Sequence, residues 1–228
     1  MATEKKYAAV LPHGGLEKIS DNVFWVSGGY SMLPGVRIGC TMTIVKRGTD
    51  LTIFNSLRVS QELEEEIKKL GTIKNVVRIC ANHGSCDEYY IDTFGATYWD
   101  LPGAADAKGA TKVPITENLL SDGDGGLPPI PEAKIILLKS IATPEAVVFL
   151  PNDGDGILIC GDFIRNAEQP CLHQSFGGKA MSSLMGFNTG CCSTPSPFFF
   201  FYGKGEDIYG PNVPVILDLK FDTFVAGE

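Results

Sequence analysis

Residues 76–88 read VVRICANHGSCDE, and this stretch decides the fold prediction. Its first five residues are apolar apart from Arg78 and rich in β-branched side chains, a pattern typical of a short buried strand. A polar loop follows that holds His83, Asp87 and Glu88. Because α/β proteins usually place their chemistry in loops at the carboxyl ends of strands, we expect this loop to carry the functional site.

A helix is predicted immediately before that strand. Ser60 is a suitable N-cap, apolar residues then recur at helical spacing, and Gly71 ends the segment. Glutamates crowd the first turns and lysines the last turn, which suits the helix dipole. Since residues 51–54 are predicted as a strand, the order strand, helix, strand implies a crossover unit with parallel pairing.

Most of the remaining pattern is that of strands. A turn at residues 48–50 separates two apolar segments and predicts an antiparallel hairpin. Residues 100–132 are rich in Gly, Pro and Asp and predict an extended surface loop with one short strand at 112–115. Residues 198–201 are four phenylalanines, predicted as a helix docked on the core. The other predicted strands are residues 23–26, 41–46, 51–54, 134–139, 146–150, 157–160 and 221–225.

Composition limits the class of partner and the compartment. The 228 residues carry a net charge of −8, which argues against nucleic acid or an anionic membrane as a partner. No apolar stretch is long enough for a membrane helix or a signal peptide. The seven cysteines are odd in number and lack CxxC spacing, which favours a reducing compartment over a disulfide scaffold. A soluble, intracellular protein is therefore expected.

The loop after residue 80 resembles a known motif. The residues from His83 to Glu88 have the frame of the H-x-H-x-D-H motif of the metallo-β-lactamase superfamily. Four further landmarks of that superfamily follow or precede it in the expected order: the strand end at residues 54–56, the loop at 141–144, the Gly-Asp pair at 161–162 and the last strand at 221–228. Segments at 34–37, 42–45 and 89–103 are similar to an uncharacterised branch of the superfamily.

The resemblance implies a fold and a reaction class. The expected fold is α/β, a four-layer αββα sandwich of two mixed β-sheets flanked by helices, built as a single domain over residues 1–228. The expected activity is hydrolysis of an ester, amide, thioester or phosphodiester bond at a metal site.

The metal-binding motif is degenerate. Where the superfamily has three histidines for its first zinc, this chain has His83, Ser85 and Ala142. A serine hydroxyl is a poor zinc ligand and alanine is none, so the resemblance implies that this first site is lost.

The second site keeps more ligands. The matching positions are Asp87, Glu88, Asp162 and Glu228, two of them glutamates in place of histidines. We predict a single divalent cation, Zn, Fe, Mn or Mg, held by His83, Asp87, Asp162 and Glu228, with Glu88 and Asp162 as catalytic residues; an oxygen-rich set favours the harder cations. The alternative is that no cation binds and that these carboxylates only cap loops and stabilise turns.

Two functional hypotheses follow. The first is a hydrolase in which the bound cation activates water and Glu88 or Glu228 serves as ligand or base. The second is a catalytically inactive pseudoenzyme that serves as a binding or assembly module. In that case the aromatic run at 198–201 is the surface for a protein partner or a homo-oligomer, because exposed aromatic patches commonly mark interfaces.

Three other reactive side chains are weaker candidates for the functional site. His13 is predicted to be a surface turn residue, and His173 a surface histidine with an alternative position near the site. Cys86 lies three residues from His83, and a thiol nucleophile there would lack a third group to orient the imidazole.

Overall fold

The computed structural model describes residues 7–107, 110–167, 172–184, 190–193, 207 and 209–227. Two β-sheets form its centre. The first sheet has six strands in the order β1-β2-β3-β4-β5-β6. Their bounds are Glu17–Lys18, Val23–Leu33, Val36–Arg47, Asp50–Phe54, Thr72–Val77 and Thr97–Trp99.

The hairpin and the crossover unit predicted for this sheet are both present. Strands β3 and β4 pair antiparallel on either side of the turn at residues 48 and 49. Helix α1, Gln61–Leu70, begins after the Ser60 cap and connects β4 to β5, which pair in parallel. Its buried residues Leu63 and Ile67 face the sheet, as the apolar stripe predicted.

The second sheet has five strands in the order β13-β10-β9-β8-β7. The bounds of β7 to β10 are Gly123–Asp124, Lys134–Leu137, Ala146–Leu150 and Ile157–Ile159, and β13 is Thr223–Val225. Strand β13 pairs in parallel with β10. A two-stranded sheet joins β11, Ile164–Ala167, to β12, Gly190–Ser193.

Three apolar clusters define four layers. The central cluster combines residues of both sheets, among them Phe54 and Val77 of the first and Val148 and Ile159 of the second. A second cluster lies between the first sheet and helices α1 and α2 (Asp87–Phe94). A third lies on the outer face of the second sheet with helix α4 (Val213–Leu217). The order helix, sheet, sheet, helix is the predicted αββα sandwich.

Two predicted strands differ from the structure. Residues 112–115 are irregular, in keeping with the Gly- and Pro-rich loop around them. The strand predicted at residues 76–80 lies further back, at Thr72–Val77. Arg78, the next residue, forms a buried ion pair with Asp100, with Nη2 2.7 Å from Oδ2.

The segment after β13 joins the two sheets near the loop that carries Asp162. The Gly227 amide donates to the Gly161 carbonyl at 3.2 Å, and the Gly227 carbonyl accepts from the Thr41 amide of β3 at 2.7 Å. Gly227 thus fixes the loop after β10 against the first sheet. Within the described residues, no helix is long and apolar enough to cross a membrane.

Candidate functional site

The loops that follow β5 and β10 meet at one edge of the sandwich. His83, from the first loop, donates from Nε2 to Oδ1 of Asp162, from the second, at 2.9 Å. Both side chains are nearly buried, with 9% and 11% of their surfaces exposed. The structure therefore brings together two of the predicted site residues that are 79 positions apart in the sequence.

Asp162 is the centre of a small hydrogen-bond network. Its Oδ2 accepts from the Cys80 thiol at 3.3 Å and from the Asn82 side-chain amide at 3.2 Å. Burial opposes the charge on Asp162, but the charge and hydrogen bond of His83, with the other two donors, outweigh burial and lower its pKa. The carboxylate is thus ionised and satisfied by three donors from one neighbouring loop.

The His83 imidazole is held on both of its nitrogens. Nδ1 lies 3.4 Å from the Cys40 sulfur of β3, and the Tyr30 ring of β2 is nearly parallel to it, with centroids 6.2 Å apart. Burial lowers the pKa of His83, yet Cys40, Asp162 and Cys80 together raise it well above its usual value. An ion pair with Asp162 is the favoured state at neutral pH.

Among the residues that the structure describes, Cys80, His83 and Asp162 form a group whose chemistry suits a metal ion. One donor atom from each, a sulfur, an imidazole nitrogen and a carboxylate oxygen, lies within 4.8 Å of the other two. Burial, and then the nearby Asp162 and Glu145 carboxylates, raise the pKa of the Cys80 thiol well above its usual value. A thiolate there consequently needs a cation, and sulfur, nitrogen and oxygen donors are those that zinc accepts.

The sequence alone predicts Cys80 to be a small apolar residue, because it ends an apolar strand. It is fully buried, but its sulfur faces Asp162 and not the core alone. The signal for a site residue is its place three residues before His83, at the end of the strand that leads into the predicted site loop. The buried Glu145, which accepts from the Phe163 amide at 2.8 Å beside this group, was missed as well.

Asp87 lies outside this group. It is fully buried at the start of α2, where Oδ1 accepts from the Ser56 hydroxyl and Oδ2 has no hydrogen-bond partner. Burial raises the pKa of Asp87 to about 6, against the opposing effects of Ser56 and Arg78. Gly84, with φ +104°, permits this arrangement, since a Cβ there would lie 2.7 Å from Asp87 Oδ2.

The other predicted ligands and bases either lie outside the metal-type group or fall outside the described residues. Glu88 is half-buried in the first turn of α2 and is not a member of the metal-type group. Glu228 and the aromatic run at 198–201 lie outside the described residues. Ala142 is half-buried, and the Ser85 hydroxyl lies 3.8 Å from the Cys86 sulfur.

Neither remaining histidine is a simple surface residue. His13 is half-buried and accepts at Nε2 from the Ser60 amide, so it supports the start of α1. His173 is half-buried, and its Nε2 lies 3.2 Å from the Ser27 hydroxyl on β2. Its partner is thus Ser27 and not a member of the metal-type group.

Comparisons with known proteins bear on the fold. No protein-family model matches the chain, and no curated protein matches it in sequence. Among solved structures, it is similar to the metallo-β-lactamase DIM-1 exposed to ceftazidime, with a TM-score of 0.52 and 17% identity over 71% of this chain and 75% of that one. It is also similar to the metallo-β-lactamase FIM-1 from Pseudomonas aeruginosa in its mono-zinc form, with a TM-score of 0.51 and 17% identity over 70% and 73% of the two chains.

A third similar structure is a metallo-β-lactamase from Erythrobacter litoralis with β-mercaptoethanol in the active site. It gives a TM-score of 0.51 and 12% identity over 73% of this chain and 80% of that one. Identities this low show shared architecture, and the layer order and sheet topology described above agree with it. The chain has the metallo-β-lactamase fold.

Proposed function

We propose that the protein is a hydrolase that uses one divalent cation, held by Cys80, His83 and Asp162. The observation that carries the proposal is the approach of the three donor atoms to within 4.8 Å of one another. The fold supports it, because one similar structure is a metallo-β-lactamase solved in a mono-zinc form. The substrate class is an ester, amide, thioester or phosphodiester, as the resemblance implies.

The donor set fits zinc better than the harder cations. A thiolate and an imidazole are ligands that Mg²⁺ and Ca²⁺ disfavour, whereas zinc readily takes sulfur, nitrogen and oxygen together. Three protein ligands would leave the cation a position for substrate or water, as catalytic zinc sites do. This set takes Cys80 in place of Asp87, and the fourth predicted ligand, Glu228, lies outside the described residues.

The hydrogen bonds around Asp162 support a role for each residue in this proposal. Cys80 and His83 both donate to this carboxylate, and each would give up that proton on becoming a ligand. Asn82 has no proton to give up, so its amide would stay on Asp162 and orient the carboxylate. A divalent cation at such a site supplies Lewis-acid polarisation of a carbonyl or phosphoryl oxygen. Glu88 or Glu228, which stand at two histidine positions of the superfamily, would serve as ligand or base.

Metal analysis of the purified protein tests this proposal. We expect about one equivalent of zinc per chain, a higher melting temperature on adding zinc to metal-free protein, and loss of both in Asp162→Ala. Asp106→Ala, at an exposed aspartate, is the matched control and should keep both properties. The proposal would be wrong if the purified protein held much less than one equivalent of metal and no added cation changed its melting temperature.

A catalytically inactive pseudoenzyme is the second candidate. The specific observation in its favour is that Asp162 is satisfied by Cys80, Asn82 and His83, so protein hydrogen bonds alone can hold the site together. The loss of histidine at Ser85 and Ala142 points the same way. Cross-linking and size-exclusion chromatography in native extract test it: a strictly monomeric protein that turns over a panel of hydrolysable substrates would contradict the module.

A further inference from the structure

One face of the β2–β3 hairpin borders the metal-type group. The Cys40 sulfur lies 3.4 Å from Nδ1 of His83, and the Tyr30 ring is nearly parallel to the His83 ring. Both side chains therefore lie on the face of the hairpin that is directed towards His83. Residues directly opposite one another in an antiparallel pair share a face, and every second residue of a strand returns to it. This face can consequently be followed along the register of the two strands.

Between Cys40 and the hairpin turn, this face is apolar. The register pairs Tyr30 with Ile38 and then, after a bulge, Leu33 with Val36 beside the turn. We call these four residues the apolar strip. Its exposure rises outwards, because Cys40 is 3% exposed, the intervening strip residues are half-buried and Leu33 is 52% exposed. The strip thus leads from the nearly buried metal-type group to solvent over about 13 Å, the length of four strand residues.

Helix α3, Phe176–Leu184, borders the outer end of the strip. The Ser175 hydroxyl donates to the Gly35 carbonyl in the hairpin turn at 2.9 Å. A Cβ at Gly177 would lie 3.6 Å from Cγ2 of Val36, so the start of the helix lies against the strip. Phe176, between these two contacts, is 90% exposed. Its ring extends the apolar surface beyond the end of the hairpin.

Charge indicates which ligand suits this surface. The protein has a net charge of −8, yet residues 22–49 and residues 172–184 contain neither Asp nor Glu. None of the four strip side chains is charged. Removing such surface from water is favourable in proportion to its area and requires no desolvation of a charged group. An uncharged, apolar chain is therefore the chemistry that fits the strip.

We propose that the apolar strip binds the acyl chain of a medium- to long-chain ester or thioester, with its carbonyl group at the metal-type group. This inference rests on the proposed hydrolase function and selects acyl compounds from the substrate classes considered above. Hydrolysis breaks the bond from the acyl carbon to the ester oxygen or thioester sulfur. Water supplies the hydroxyl group of the acid and the proton of the released alcohol or thiol. The strip residues determine specificity and take no part in that step.

Binding of methyl ketones tests the strip without any hydrolysis. Methyl ketones with ethyl, butyl, hexyl and octyl chains differ only in length and have no ester bond to break. In isothermal titration calorimetry with the purified full-length protein, affinity should rise with each added methylene group, by up to ~4-fold. Equal affinity for all four ketones would overturn the inference.

A charge placed on the strip should weaken binding of the longest ketone. Leu33→Asp should reduce the affinity for methyl octyl ketone at least ~10-fold, because the carboxylate must be desolvated beneath the chain. Leu217→Asp is the matched control, since Leu217 is also exposed but lies on α4, on the outer face of the second sheet. It should bind as the wild type does. Wild-type affinity in Leu33→Asp would contradict the inference.

Two p-nitrophenyl esters separate this inference from the proposed function. In zinc-loaded protein, kcat/KM should be at least ~10-fold higher for the octanoate than for the acetate. Leu33→Asp should remove that preference and leave turnover of the acetate unchanged. Turnover of both esters with equal kcat/KM would overturn the strip and leave the hydrolase. Ketone binding that depends on chain length, without turnover of either ester, would support the strip and contradict the hydrolase.

Discussion

Asp87 shows how a residue of the predicted ligand set can have another role. The carboxylate lies outside the metal-type group because α2 begins at this position and directs it towards Ser56. Nothing in one sequence shows the direction of a side chain at the start of a helix. His83 and Asp162 could be chosen from the sequence because both follow strands of an α/β pattern and carboxyl ends of strands gather at one edge. The Cys80 thiol could not be chosen in this way, since a buried cysteine in a strand is usually only a small apolar residue.

The raised pKa of Asp87 predicts a pH-dependent stability. Its pKa is raised to about 6 in the folded protein from 3.8, so the fold favours the protonated form. The contribution to stability is complete below pH 4 and is lost as pH rises through 6, a change of about 3 kcal/mol. Asp87→Asn cannot ionise, so its unfolding free energy should vary less between pH 4 and pH 7.

Urea denaturation at a series of pH values measures this effect. The exposed Asp106→Asn is the control and should keep the wild-type slope. An Asp87→Asn protein whose unfolding free energy falls with pH as steeply as that of wild type would contradict the assignment.

Among the elements, those with a clear local period were predicted and those fixed by long-range contacts were not. Helix α1 follows from its cap, its stripe and its terminal glycine, all of which the structure confirms. Helix α3, Phe176–Leu184, was not predicted, because its sequence FGGKAMSSL contains two adjacent glycines and weak periodicity. Its position depends on β3: the Ser175 amide donates to the Arg37 carbonyl, and the Arg37 amide donates to the Ser175 hydroxyl.

Gly178 tests whether close contact with β3 determines the position of α3. An alanine Cβ at this position would lie 1.8 Å from the Arg37 carbonyl oxygen, so Gly178→Ala should destabilise the protein by roughly 1–3 kcal/mol. Helix propensity alone predicts the opposite sign, a gain of about 1 kcal/mol. The control is Ala180→Gly on the exposed face, which should cost about 1 kcal/mol through propensity. A stabilised Gly178→Ala protein in thermal denaturation would show that α3 does not pack closely on β3.

In the whole molecule, the two sheets depend on each other for burial. The central apolar cluster draws on both, and Arg47 at the end of β3 forms ion pairs with Glu132 and Asp153 of the second half. The alternation of strands and one crossover helix was enough to predict the sandwich, in combination with the resemblance to a superfamily. The sequence did not show how the second sheet is ordered, since β13 reaches β10 across a long intervening segment.

Shared burial predicts one cooperative unfolding transition for residues 1–228. Both tryptophans, Trp25 and Trp99, lie in the first sheet and pack against the central cluster, so fluorescence reports on the packing of the first sheet in that cluster. Far-ultraviolet circular dichroism reports on both sheets. We expect the two urea transitions to coincide. A fluorescence midpoint clearly displaced from the dichroism midpoint would show that the sheets unfold as separate units.

The bridge made by Gly227 also sets an order of events during synthesis. The loop that carries Asp162 is fixed to β3 by a residue about 65 positions downstream. At the usual rate of translation, roughly 5–20 residues per second, Gly227 is added about 3–13 s after Asp162. Until it has left the ribosome, the loop that carries Asp162 lacks the hydrogen bonds that fix it against β3. That edge of the sandwich is therefore completed only after residue 227 has been added.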